Sequence, residues 1–333
     1  MGRHPHVPDE LRTHPFRGRD AVASGLLTRH QLRSTAWTPL IRGIYAHRDL
    51  AMDAATRLTA LQLVLRPDDV LAGRTAAWVH GCWQPRPGRP VPWNVTRAVR
   101  RSGRCPDELT SRRLTLRGSP DWHGGTCGMS VLDQDVVEYA GLSILSPLRT
   151  CFDLMRERRL VEAVVVADAF AYAGSLHLTT LAVYASDRRR WPHVREARVA
   201  IDLASAGARS PGESRLRMVP VLAGLPEPLV NAPLVDRSGR VIGIPDLTVI
   251  RGGRRVGLEY DGAYHDAADQ PAADRRRSNR VTLGDLPLLR YDAHSVLHER
   301  ELVLSEIAAV LGVRHPVELV DRDFARPVPS RAW

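Results

Sequence analysis

The chain contains no lysine; all 47 of its Lys-plus-Arg side chains are arginine. That absence removes Schiff-base chemistry, a Walker-type phosphate-binding lysine and a lysine general base. Cysteine is scarce. Cys82, Cys105, Cys127 and Cys151 lie far apart and form no Cys-x-x-Cys pair, so the expectation is reduced, incidental thiols rather than a zinc ribbon or a disulfide scaffold. No apolar run approaches the ~18 residues that a membrane-spanning helix needs, and no membrane association is expected. The opening Met1-Gly2-Arg3-His4-Pro5-His6 lacks the apolar core of a secretory signal, so the expected location is cytoplasmic.

Acidic residues are under-represented at one end. Residues 1–120 hold 20 arginines against nine Asp and Glu, whereas residues 121–333 hold 27 against 28. The whole net charge of +10 therefore resides in the first third. A concentrated basic region is the footprint of a polyanion binder, usually nucleic acid; the plainer reading is a solvated arginine-rich surface. At 333 residues, 44% hydrophobic and 25% charged, the chain is globular and long enough for two domains.

Along the chain, residues 1–18 are rich in Pro, His and Arg and read as a loose arm. Arg19–Ser24 predicts a short helix, and Thr28 caps a second over Arg29–Arg33. Leu40-Ile41-Arg42-Gly43-Ile44-Tyr45-Ala46 reads as a β-ribbon. Helix, turn, helix and ribbon outline a winged helix-turn-helix, although only Thr35–Pro39 separates its second helix from the ribbon. In that reading Arg29, Gln31, Arg33 and Arg42 contact DNA. Helices are predicted over 53–65 and 75–80, with His80 packed or at the surface. Short antiparallel strands are predicted within 84–130, then helices from Ser146-Pro147 and over 160–173, 178–188 and 194–206. Arg188-Arg189-Arg190 reads as a solvated helix end, with phosphate contact as the alternative. The polar joint Ser205–Ser210 marks the expected boundary, giving an N-terminal region over 19–208, a second domain over 209–315 and a tail over 316–333.

The chemistry concentrates in Arg240–His265. Val241–Ile250 and Arg255–Asp261 read as two strands joined by a Gly252-Gly253 turn, a strong hairpin signal because such turns need positive φ. With that turn, paired positions sum to 505, which sets Asp246 against Glu259 with Asp261 on the same face. Facing carboxylates destabilise a sheet unless a divalent cation, a shared proton or a nearby arginine relieves them. Upstream, Ser210-Pro211-Gly212-Glu213 opens a helix. Glu213 is either a capping-box residue or an additional acid aimed at the hairpin. Downstream, an Arg-rich helix over Pro271–Leu283, a strand over Leu286–Tyr291 and a helix over Glu301–Leu311 complete the order.

That order, with Glu213, Pro245-Asp246, Glu259-Tyr260-Asp261-Gly262 and His265, then Asp274 and Arg277, then Arg290, resembles the PD-(D/E)XK restriction-endonuclease-like superfamily over about residues 209–312. It looks closest to the branch related to very-short-patch repair endonucleases. The resemblance implies a domain with a central mixed sheet and phosphodiester hydrolysis with Mg²⁺ or Mn²⁺. Asp246 and Glu259 become metal ligands, Glu213 and Asp261 further site acids, and His265, Asp274, Arg277 and Arg290 supporting residues. The chain departs from the pattern in carrying Asp261 at the lysine position, Pro220 within the Glu213 helix, and Asp285-Leu286-Pro287 where relatives carry Gly-Trp. The N-terminal part, through Gly25-Leu26-Leu27-Thr28, Gln31-Leu32, Arg42-Gly43-Ile44-Tyr45, Arg74–Gly81 and Ser146–Leu154, resembles AbiEi-type antitoxins, in a two-domain arrangement of actinobacterial type. Those are DNA-binding repressors of toxin–antitoxin operons. The expectation is an α/β protein with a winged-helix-like N-terminal region, a helical middle and an endonuclease-like domain. Its function is then metal-dependent DNA cleavage in repair or defence. The alternative is a non-enzymatic antitoxin-like repressor, with a cognate toxin as partner.

Overall fold

The computed structural model describes residues 7–65, 69–84, 94–100, 109–115, 129–131, 133–235, 239–262, 280–283 and 286–314. The protein is mixed α/β and divides into two compact units, Met1–Thr150 and Cys151–Trp333.

In the first unit, β1 (Phe16–Arg17), β2 (Trp37–Ile41) and β3 (Ile44–His47) form an antiparallel sheet in the order β1-β3-β2. Phe16 meets Trp37 edge-on at 5.1 Å, and Leu11 is buried in the same cluster. Residues 7–18 are therefore not a loose arm, because Leu11 and Phe16 supply core and Val7 packs against it. Helix α1 forms over Gly18–Ala23, one residue earlier than the Arg19–Ser24 expected. The expected second helix does not form; it is reduced to a single 3-10 turn, Gln31–Arg33. Its cap does form. Thr28 Oγ1 accepts from the Gln31 N–H at 3.2 Å, and Gln31 Oε1 accepts from the Thr28 N–H at 2.7 Å. The turn stops because β2 must start at buried Trp37. The ribbon holds, with Arg42-Gly43 at its tip.

Helix α2 (Ala54–Gln62) starts at Asp53, whose carboxylate accepts from the Thr56 N–H at 2.8 Å. After β4 (Asp69–Leu71) and α3 (Gly73–Val79) come β5 (Asn94–Arg100), β6 (Leu109–Thr115), β7 (Met129–Val131), β8 (Val136–Tyr139) and β9 (Leu142–Leu145). They form a six-stranded sheet, β7-β6-β5-β4-β9-β8, antiparallel except for β4 beside β9. Helix α4 (Pro147–Arg156) opens as read, the Arg149 N–H donating to Ser146 Oγ at 3.2 Å.

The second unit contains α5 (Leu160–Tyr172), α6 (Leu178–Asp187), α7 (Val194–Asp202) and α8 (Pro211–Leu222). The division at Thr150–Cys151 replaces the boundary expected at Ser205–Ser210. That joint lies inside the unit, because α8 is fastened to α5 across it. Arg215 holds Glu162 through two hydrogen bonds of 2.6 and 2.8 Å, buried Arg217 reaches Asp168 at 3.2 Å, and the Ser205 N–H donates to Asp168 at 2.7 Å. Polar, glycine-containing composition marks a surface joint in sequence but says nothing of buried charges that clamp its two sides. Arg188 is likewise not a solvated helix end: it is buried, 3.3 Å from the centroid of the Tyr184 ring.

Beyond α8, β10 (Leu229–Val230), β13 (Leu247–Arg251), β14 (Arg254–Asp261), β15 (Arg280–Leu283) and β16 (Leu286–Asp292) build a mixed sheet, β10-β13-β14-β16-β15. Only β14 and β16 are parallel. β11 (Leu234–Val235) and β12 (Val241–Gly243) form a separate pair. The single strand expected over Val241–Ile250 is thus broken at Ile244–Asp246. Pro245 sits in the break, where its missing N–H removes a ladder bond. Arg280–Leu283, expected to end a helix, is strand β15, antiparallel to β16; residues 271–279 of that expected helix, and the 316–333 tail, lie outside the described residues. An unforeseen short helix, α9 (Ala293–His298), capped by Asp292, precedes α10 (Arg300–Leu311). Helices α8 and α10 pack on β14.

Candidate active site

The site grows from the β13–β14 hairpin. Gly252 and Gly253 have φ of +55° and +77°, the left-handed pair that a two-residue turn demands. Pairing runs from Arg251↔Arg254 to Leu247↔Leu258, the register read from the sequence. One residue further stand Asp246 and Glu259. The Tyr260 N–H donates to Asp246 Oδ2 at 2.8 Å, fixing that carboxylate beside β14. Asp246, Glu259 and Asp261, with Tyr260 and Arg290, line one open cavity of about 210 Å³.

The parallel strand β16 contributes the cation. Its register places Arg290 beside Glu259, and Arg290 Nε donates to Glu259 Oε2 at 2.9 Å. Of the three ways to relieve facing carboxylates, a nearby arginine is therefore present. Arg290 was legible only as part of a family pattern; its pairing with Glu259 depends on a long-range strand register.

Glu213 caps and also faces the hairpin. Its N–H donates to Ser210 Oγ at 3.1 Å, while its Oε2 accepts from the Arg209 N–H and Asn231 Nδ2, each at 3.0 Å. Burial pushes the Asp246 carboxyl above its ordinary range. The Tyr260 N–H opposes that rise, the charges of Glu213 and Glu259 reinforce it, and Arg209 opposes it. Asn231, which sequence reasoning missed, ties these parts together. Its amide holds Glu213 and the Gly207 carbonyl, and its N–H donates to the Asp246 carbonyl at 2.8 Å. Its φ of +47° suits asparagine, but nothing in the linear sequence signalled that position.

His265, Asp274 and Arg277 lie outside the described residues. Arg29, Arg33 and Arg42 belong to the first unit, are exposed and make no ion pair among the described residues. Gln31 spends its side-chain oxygen on Thr28. Among the described residues no three His, Cys, Asp or Glu side chains are grouped to hold a metal ion. The donor chemistry of Asp246 and Glu259 nevertheless suits Mg²⁺ or Mn²⁺, since Mg²⁺ is commonly held by one or two carboxylates with water and phosphate completing its shell.

Gly212 allows α8 to approach this strand. A Cβ there would lie 2.0 Å from the Tyr260 ring. Helix propensity alone favours Gly212→Ala by about 1 kcal/mol; the clash reverses the sign. The expected result is a loss of about 1–3 kcal/mol in urea unfolding, largely recovered in Gly212→Ala/Tyr260→Ala relative to Tyr260→Ala alone. A stabilised Gly212→Ala protein would refute the close approach.

Comparisons with protein-family models, curated proteins and solved structures return no match.

Proposed function

We propose that the protein is a DNA-binding, metal-dependent phosphodiesterase, cleaving DNA in a repair or defence role. One observation carries this reading: Asp246, Glu259 and Asp261 converge on one open cavity beside Arg290. Mg²⁺ or Mn²⁺, when bound, supplies Lewis acidity and an activated water. The chain's own contributions are separable. Tyr260 N–H holds Asp246 in place, leaving its other carboxylate oxygen for the cation. Arg290 neutralises part of the carboxylate charge that would otherwise repel a phosphodiester and offers its remaining N–H groups to phosphate oxygens. Glu213, held by Arg209 and Asn231, adds negative charge behind Asp246 and strengthens its attraction for a cation.

A second reading is favoured by the ion pair itself. Glu259 already has a counter-charge in Arg290, and no lysine exists anywhere in the chain. In that reading the protein is a non-enzymatic, antitoxin-like repressor that binds DNA and a cognate toxin. Nicking of supercoiled plasmid by the full chain in Mg²⁺ or Mn²⁺ separates the two. Cation-dependent nicking supports the first, and tight duplex binding with no nicking under either cation supports the second.

Both readings place duplex affinity on the basic first unit. The triple variant Arg29→Ala/Arg33→Ala/Arg42→Ala is expected to bind duplex DNA more weakly. It should also flatten the log–log salt dependence by up to about 3 if all three arginines meet phosphate. Filter binding across a salt series measures this, and an unchanged slope would remove these residues from the interface.

A further inference from the structure

A second cavity, of about 370 Å³, lies wholly within the first unit, between the start of α2, the end of α3 and the end of β8. Its volume falls within the ordinary range for small-molecule sites, roughly 300–1,000 Å³. Trp78 and Tyr139 give it two aromatic walls, and Leu58 and Val79 give it apolar ones. Tyr139 is half exposed although aromatic, at 50% of its free surface.

Arg57 projects into this lining. Its Nε donates to the Met52 carbonyl at 3.2 Å, and it makes no ion pair among the described residues. The guanidinium is half-buried, and burial lowers its pKa. A partly desolvated cation with no ion pair among the described residues is an arrangement that an anion relieves. The one carboxylate in the lining is Asp53, which is engaged as the α2 cap and held in its ionised form by the Thr56 N–H. Its charge lies in the same lining and opposes an anion beside the α2 cap. Gln84, also in the lining, offers an amide to a base edge.

We propose that this cavity binds one nucleotide, with its base against Trp78 and Tyr139 and its phosphate on Arg57. A nucleotide is the anion that matches an aromatic floor beside a guanidinium, and the basic excess of residues 1–120 concentrates such anions at this unit. The same chemistry is presented by a free mononucleotide and by an unstacked nucleotide of a single strand. The site goes beyond the phosphodiesterase reading and does not depend on it.

Calorimetric titration of the full chain with dTMP, thymidine, inorganic phosphate and a thymidine pentanucleotide tests the proposal. Saturable dTMP or pentanucleotide binding is expected, with thymidine and phosphate each at least about tenfold weaker. A pentanucleotide that binds more tightly than dTMP assigns the site to a strand, and equal affinity assigns it to the free nucleotide. Arg57→Gln is expected to weaken dTMP by about tenfold or more while leaving thymidine nearly unchanged. Tyr139→Ala is expected to weaken both by about 5–100-fold, with Tyr139→Phe restoring them. Tyr139 is exposed enough that its variants should fold, which thermal melting confirms. The proposal is overturned if neither dTMP nor the pentanucleotide saturates up to millimolar concentration, or if Arg57→Gln and Tyr139→Ala bind like wild type. No arm contains a divalent cation or duplex DNA, so plasmid nicking can fail while this site binds, and the reverse.

Discussion

Asp246→Asn should lower Mn²⁺-dependent plasmid nicking by at least about 100-fold. Changes to groups that merely orient a metal ligand already cost about 10–100-fold in affinity or activity, and here the proposed ligand itself is replaced. The fold should survive, because an asparagine oxygen can still accept from the Tyr260 N–H that holds Asp246. Metal-free stability should even rise, by up to about 1 kcal/mol, as a like-charge contact is removed. The pH dependence fixes the sign. The folded-state pKa of Asp246 is raised, so its favourable contribution is complete when it is protonated, below the ordinary carboxylate range. It is lost as pH rises through the raised value. The stability gain of the variant should therefore be larger at neutral pH than near pH ~4. Added Mn²⁺ should raise the melting temperature of wild type by linkage and leave the variant unmoved. If wild type shows neither nicking nor a metal-dependent melting shift, the hydrolytic reading fails and the repressor reading stands.

The largest stability loss is expected at Arg217, one turn after Glu213 on α8. Its side chain is 0% exposed and its partner Asp168 1% exposed, whereas Glu227, its other acidic partner, is 65% exposed. Arg217→Met should cost about 3–5 kcal/mol in urea unfolding, because it strands a buried carboxylate. Glu227 reaches water and contributes little to that figure. Burial already holds the Asp168 carboxyl above its ordinary range, with Arg217 the chief opposing influence. Removing the guanidinium should raise it further, so the variant should lose less at acid pH, where Asp168 can take a proton. Arg217→Met/Asp168→Leu should recover much of the loss, since apolar pairs often match buried ion pairs in stability. A single variant within about 1 kcal/mol of wild type would show that the pair is not what fastens α8 to α5.

What could be read from the sequence was local. The Gly252-Gly253 turn fixed the hairpin register because a two-residue loop leaves no freedom in pairing. Ser210-Pro211 and Ser146-Pro147 announced α8 and α4 because a capping hydroxyl and a proline at the first helical position act within one turn. Where distant residues decide, the reading failed. The helix over Arg29–Arg33 gave way because Trp37 is needed in the core, a tertiary demand that local capping signals cannot register. The unit boundary was misplaced because Arg217 and Asp168 are 49 residues apart. Arg290 meets Glu259 only through the parallel pairing of β14 with β16, and Asn231 joins Glu213 to Asp246 from a loop with no periodic pattern.

The topology of the mixed sheet also sets an order of assembly. The β13–β14 hairpin closes over two residues, an event of microseconds in isolated hairpins, and brings Asp246 and Glu259 together at once. The strand that carries Arg290 must return parallel to β14 from the far side of a long excursion, and loop closure of that kind is entropically expensive and slow. On that order of assembly the carboxylates are neighbours for an interval without their guanidinium. If the proposed metal site is real, a dissolved cation meets them before Arg290 does, and the expected result is a refolding rate that changes with Mg²⁺ or Mn²⁺ in the buffer.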